Sequence, residues 1–155
     1  MALVRILVDG YSLLHVWRDL APGKPRFSEA AREELIEALT HYQDAMGTPV
    51  SIIFDGRGVG RPKSANPAKG GVEVLYSTDG RTADDLIERA AHRLSEYGEV
   101  LVVTNDRAER DTVQFVGGSV CSCRNFIGMV ESSMDDLKSR VDRHNRRQRD
   151  GFRSR

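Results

Sequence analysis

Three apolar runs in this chain end in, or just before, an aspartate. LVRILV (3–8) meets Asp9-Gly10, VSIIF (50–54) meets Asp55-Gly56, and VLVVT (100–104) meets Asn105-Asp106. Apolar runs of this length separated by helical segments read as strands of a parallel sheet covered on both faces. Parallel strands place their carboxyl ends on one edge, where open α/β sheets bind ligands. The three carboxylates, remote in sequence, are therefore expected to converge. Crowded carboxylates repel each other unless a cation offsets them, and hard oxygen ligands suit Mg²⁺ or Mn²⁺. Each aspartate alone has a plainer reading. Asp-Gly is a turn signal, and Asp106 can cap the next helix, with Glu109 completing a capping box. Their coincidence on one edge points to a site.

The segment TADDLIERAAHRL (82–94) adds a further acid. At roughly 100° per residue, its apolar face is Leu86, Ile87, Ala90, Ala91, Leu94 and Tyr97. Asp85 points away from that face and is the natural capping-box partner of Thr82. Asp84 lies on its border, at the helix start and near the sheet edge. Glu88 is one turn along, and like charges at that spacing are mildly destabilising without a cation between them.

These residues need a framework. After the first strand the pattern predicts a short helix over 11–20, then a loop over 21–27 marked by two prolines. Ser28 caps a helix running to about Met46, with Ala31, Leu35, Leu39, Tyr42 and Met46 on its apolar face and Gly47 at its end. Further strands are expected at 72–76 and 119–122. Helices are expected at about 83–97, 107–116 and 124–146, the last with Phe126, Val130, Met134, Leu137 and Val141 on one face before it dissolves into the tail. The fold class is α/β: a three-layer domain with a mainly parallel sheet of about five strands and helices on both faces. No internal repeat or interdomain linker is visible. The domain is placed at 1–137, with a basic helix end and tail at 138–155.

The 155 residues include 23 Lys+Arg and 23 Asp+Glu, and the mixture is globular rather than disordered. No run of 18 apolar residues exists to span a membrane. The opening MALVRILVDG meets Asp9 too early for a signal-peptide core, so a cytoplasmic protein is expected. The zero net charge is uneven. Residues 138–155 carry eight Lys/Arg and two Asp, leaving the first 137 residues six charges negative. A second basic stretch, 57–71, holds Arg57, Arg61, Lys63 and Lys69 without an acid. Two cationic segments on an acidic body fit a polyanionic ligand.

ILVDGYSLLH (6–15), IIFDG (52–56), TADDLIER (82–89) and VVTNDRAER (102–110) occur in the order seen in YacP-like NYN domains, and GGSVCSCRNFIG (117–128) extends the likeness. The chain resembles that family of PIN-like, metal-dependent ribonucleases over most of 1–135. The resemblance implies that the first and fourth strands are adjacent in mid-sheet. It implies endonucleolytic RNA cleavage with one or two Mg²⁺ or Mn²⁺ ions at Asp9, Asp84 and Asp106, with Asp55 and Glu88 as further acids. It also makes the ribosome a candidate partner. Ser12 stands where the family usually has Asn; together with Asn105 it is expected to orient the acids.

The expected chemistry is phosphodiester hydrolysis, with a metal lowering the pKa of water and offsetting phosphate charge. No nucleophile elbow, P-loop or HExxH motif competes. Arg57, Arg61, Lys63, Lys69, Arg146 and Arg147 are the expected RNA contacts. Tyr11 and Trp17 are assigned to packing of the first helix, and His15, His41, His92 and His144 to the surface. Cys121 and Cys123 are read as buried small residues, since two thiols without a second pair do not complete a zinc site. The competing class is a non-catalytic RNA- or ribosome-binding module. A haloacid-dehalogenase phosphatase would need Asp at position 11, which is Tyr11.

Overall fold

The computed structural model describes residues 2–56, 71–78 and 80–153. Five parallel strands form one sheet: β1 Leu3–Asp9, β2 Val50–Phe54, β3 Glu73–Tyr76, β4 Glu99–Val103 and β5 Ser119–Cys121, in the order β3-β2-β1-β4-β5. The first and fourth strands are neighbours, and β1 is central. The helices are α1 Gly10–Val16, α2 Glu29–Met46, α3 Ala83–Leu94, α4 Arg107–Phe115 and α5 Cys123–Arg153.

Strand side chains alternate faces, and this splits the core in two. Ile6, Val8, Ile52 and Phe54 pack beneath α1, α2 and the start of α5, with Leu13, Leu35, Leu39, Tyr42, Phe126 and Val130. Leu7, Ile53, Val100 and Val102 pack on the other face against Ile87 and Ala91 of α3 and Val113 of α4. This is the expected three-layer arrangement. Ser28 caps α2 by accepting from Ala31 N, and Gly47 ends it in the left-handed region at φ 76°. Thr82 and Asp85 form the expected capping box at α3.

Several boundaries differ from expectation. The first helix stops at Val16 rather than 20, and Trp17 folds into the core behind it. Met46 and Tyr97, placed on apolar faces by periodicity, are exposed because they lie at or past the ends of their helices. The last helix does not dissolve into the tail. It runs unbroken across 137–138 to Arg153. At 1.5 Å per residue it is about 46 Å long, far longer than a five-residue strand, so it outruns the sheet. From Glu131 to Gly151 it is exposed throughout except for half-buried Ser133, and Met134, Leu137 and Val141 therefore face solvent. Among the described residues no helix is long and apolar enough to cross a membrane.

The Asp-Gly pairs that follow β1 and β2 are not left-handed turns, because neither Gly10 nor Gly56 has a positive φ. Their glycines answer a packing demand. A Cβ on Gly10 would collide with the Phe54 ring, and one on Gly56 with the Ser77 carbonyl oxygen. Glycine lets β1 turn directly into α1 over the core. Gly10→Ala is therefore expected to destabilise the fold by about 1–3 kcal/mol, the usual range for overpacking, as read from the urea unfolding midpoint.

Candidate metal centre

Asp9, Asp84 and Glu109 come together at the carboxyl edge of the sheet, each offering a carboxylate oxygen within 4.8 Å of the others. Each is delivered by a different element. Asp9 ends the central strand and caps α1, so its position follows from both. Ser12 N donates to Oδ1 at 3.3 Å, and Ser12 Oγ donates to Oδ2 at 2.8 Å. Asp84 sits in the first turn of α3, aimed by the Thr82–Asp85 box beside it. Glu109 sits in the first turn of α4 and is only 2% exposed.

Thr104, fully buried at the end of β4, joins these acids. Its hydroxyl lies 3.2 Å from Glu109 Oε2 and 3.5 Å from Asp9 Oδ2, and it accepts from Asp106 N at 3.1 Å. A hydroxyl has one proton to give, so two carboxylates compete for it. Glu109 Oε1 is buried with no hydrogen-bond partner. The Glu109 side chain lies within hydrogen-bonding reach of the Asp84 carboxylate, a bond the pair can make only when one of them carries a proton.

The electrostatics follow. Burial pushes the Glu109 carboxyl up to about 10, helped by its contact with Asp84 and by the charges of Asp9 and Asp84. Burial also raises Asp9, opposed by the Ser12 hydrogen bonds and reinforced by Asp84. The Cys123 thiol, buried at the start of α5, is pushed up to about 12 by burial and by the charges of Asp9, Cys121 and Glu109. Among the described residues no cation offsets these shifts. An oxygen-only donor set with an orphaned buried carboxylate oxygen fits a hard divalent cation.

A YacP-like NYN domain model matches residues 6–155. The chain belongs to the YacP-like NYN domain family. It is 31% identical over 138 residues to the uncharacterized protein YacP of Bacillus subtilis (strain 168), covering 88% of this chain and 80% of that one. The crystal structure of Rae1 (YacP) from Bacillus subtilis superposes with a TM-score of 0.77 at 28% identity, covering 97% of this chain and 86% of that one. A tryptophan-to-leucine mutant of Rae1 gives 0.75 at 28% identity, over 90% and 81%. NYN domains are a PIN-like nuclease family, which supports a nuclease-type, RNA-related role for this one.

The other expected site residues of this NYN domain are not members of that trio. Asp106 is exposed at the N-cap of α4, where Oδ1 accepts from Ala108 N and Glu109 N at 2.9 and 3.3 Å. It is outside the trio, whose third acid is Glu109. The capping box considered for that pair is half made, because the Glu109 side chain turns inward to Thr104. Asp55 Oδ1 accepts from Ser77 Oγ at 3.2 Å, tying it to the segment after β3. Glu88 is half-buried on α3, its carboxyl raised by burial and by Asp85 and Asp84, and is also outside the trio.

Asn105 Oδ1 accepts from Cys123 N at 2.9 Å, fastening the end of β4 to the start of α5. Arg146 and Arg147 are exposed on α5. Arg57, Arg61, Lys63 and Lys69 lie outside the described residues. Thr104 was not singled out in the sequence, and Glu109 was read there only as a capping-box partner of Asp106. One signal was present: Glu109 lies four residues before Val113, on the buried stripe of α4.

A raised carboxyl binds its proton more tightly in the fold than in the unfolded chain. Its contribution to stability is fully present below the unfolded value of 4.5 and is lost as pH rises towards about 10. In metal-free protein the melting temperature should therefore fall between about pH 5 and 8. Glu109→Gln, which keeps shape without the ionisation, should flatten that slope. An unchanged slope would show that Glu109 ionises as freely in the fold as outside it.

Proposed function

We propose that this NYN domain is a divalent-metal-dependent endoribonuclease with its metal at Asp9, Asp84 and Glu109. The observation that carries this reading is the trio itself: three carboxylates within 4.8 Å, one holding a buried oxygen that no donor reaches. When bound there, Mg²⁺ or Mn²⁺ would supply Lewis-acid polarisation of the scissile phosphate and a lowered pKa for water.

The chain's own residues hold the acids in place. Ser12 fixes both oxygens of Asp9, doing with a hydroxyl and a backbone N–H what the usual Asn would do with an amide. Thr104 holds Asp9 and Glu109 from beneath. Asp106 acts one step out, orienting the first turn of α4 so that Glu109 projects inward. Asp55 and Glu88 add negative field at the rim. No side chain is required as a nucleophile.

Arg146 and Arg147 on the free part of α5 are proposed to contact RNA phosphates, with Arg57, Arg61, Lys63 and Lys69 as further cations, in free RNA or on the ribosome. Such contacts position the strand without reading its sequence.

With a single-stranded RNA and Mn²⁺, Asp9→Asn, Asp84→Asn and Glu109→Gln should each lower cleavage about 100-fold or more, the scale of losing metal-centred charge stabilisation. RNA binding should be largely retained, and Asp106→Asn should cost less than any of the three. Cleavage by a protein carrying all three substitutions would overturn the assignment. Full loss with Asp106→Asn and none with Glu109→Gln would move the third ligand to Asp106.

A further inference from the structure

We propose that Phe27, with His15 and Tyr11, forms a stacking platform for one unpaired nucleobase beside the acidic trio. This deepens the ribonuclease reading and rests on it for the identity of the ligand. Phe27 lies in the loop before the Ser28 cap and is 47% exposed. It does not hang free. Tyr11 meets it edge to face, with centroids 5.3 Å apart and planes at 84°. Tyr11 in turn packs on fully buried Phe54 at 5.0 Å, and Phe54 stacks on Tyr76 at 5.4 Å. The exposed ring is therefore anchored through a chain of rings to the core.

His15, exposed one helical turn from Tyr11, presents its ring nearly parallel to Phe27, at 19° and 6.4 Å. Two adjacent, nearly parallel ring faces at the surface suit a flat aromatic guest. Bases stack on such rings whatever their sequence, and single-stranded RNA is bound in this way.

Placement ties the platform to the site. Asp9 is the N-cap of α1, and Tyr11 and His15 lie on that helix. Along it His15 is about 9 Å from Asp9, on the order of one nucleotide step. The start of α2 and the ends of β2 and β3 lie at the same sheet edge, which brings Phe27, Phe54 and Tyr76 there. Arg32 stands at the rim: Nη1 donates to the Phe27 carbonyl at 2.7 Å, and its guanidinium lies beside Tyr76. A cation fixed at that point suits the phosphate attached to a stacked base. The platform is thus continuous with the trio, and its aromatic faces with a flanking cation match a nucleotide better than an apolar peptide side chain.

The test measures binding in full-length protein carrying Asp84→Asn, so that turnover does not intervene. The probes are oligouridylate and a ribose-phosphate oligomer of equal length without bases. Phe27→Ala should weaken oligouridylate binding about five- to 150-fold, the range for loss of one base–aromatic stack. It should leave the baseless oligomer unchanged. Phe27→Trp should restore affinity and show quenched fluorescence on RNA addition, since the other tryptophan, Trp17, is buried. Phe27→Leu, apolar but not planar, should not restore it.

Equal weakening for both oligomers, full affinity in Phe27→Leu, or no binding of oligouridylate by the parent would each overturn the platform. Failure of the nuclease reading would look different: the protein with its trio intact would cleave no RNA in Mn²⁺ while the Phe27 effect on binding remained.

Discussion

Three carboxylates whose oxygens lie within 4.8 Å cannot all be anionic in a buried setting without a counter-charge. Much of the local structure is arranged around that repulsion. Thr104 supplies one proton to two acceptors, Ser12 supplies two donors to Asp9, and Glu109 is left holding its own proton. Each device lowers the strain of crowding without removing it. A divalent cation bound among these acids would displace the Glu109 proton, which would couple its binding to pH.

The fold makes this crowding affordable because all three acids stand on rigid elements. Asp9 ends the one strand with neighbours on both sides that are themselves flanked, so its carboxylate stands at the best supported strand end in the sheet. Asp84 and Glu109 occupy first turns of helices, where caps fix the backbone and the helix dipole favours negative charge. Gly10 allows α1 to start immediately after Asp9, close over Phe54. A side chain there would force the turn outward and separate Asp9 from Ser12.

The sheet, its five strands and, to within one residue, all five helix starts were legible from apolar periodicity and capping residues, because those signals are local. Asp9 and Asp84 were legible for the same reason: a strand end and a helix border are visible in one dimension. The choice between Asp106 and Glu109 was not. Both sit within one turn, and which one points inward depends on how α4 rotates against β4 and α3, a matter of tertiary packing. Asp106 carried a strand-end signal and Glu109 a buried-stripe signal, and only the second predicts direction. The exposure of Met134, Leu137 and Val141 was hidden likewise, because periodicity identifies a helix face but not where the neighbouring layer ends.

The division of charge bears on how RNA could approach such an edge. The first 137 residues are net negative by six, and the trio concentrates that sign where a phosphate would have to sit. Screening at physiological salt limits this repulsion to about 8 Å, so it is strongest at the site itself. An approaching strand therefore needs a local offset at the trio and attraction farther out. The first calls for a cation among the carboxylates. Arg32 stands at that edge, and the arginines of α5 project beyond the sheet on a helix whose far half is solvent-exposed.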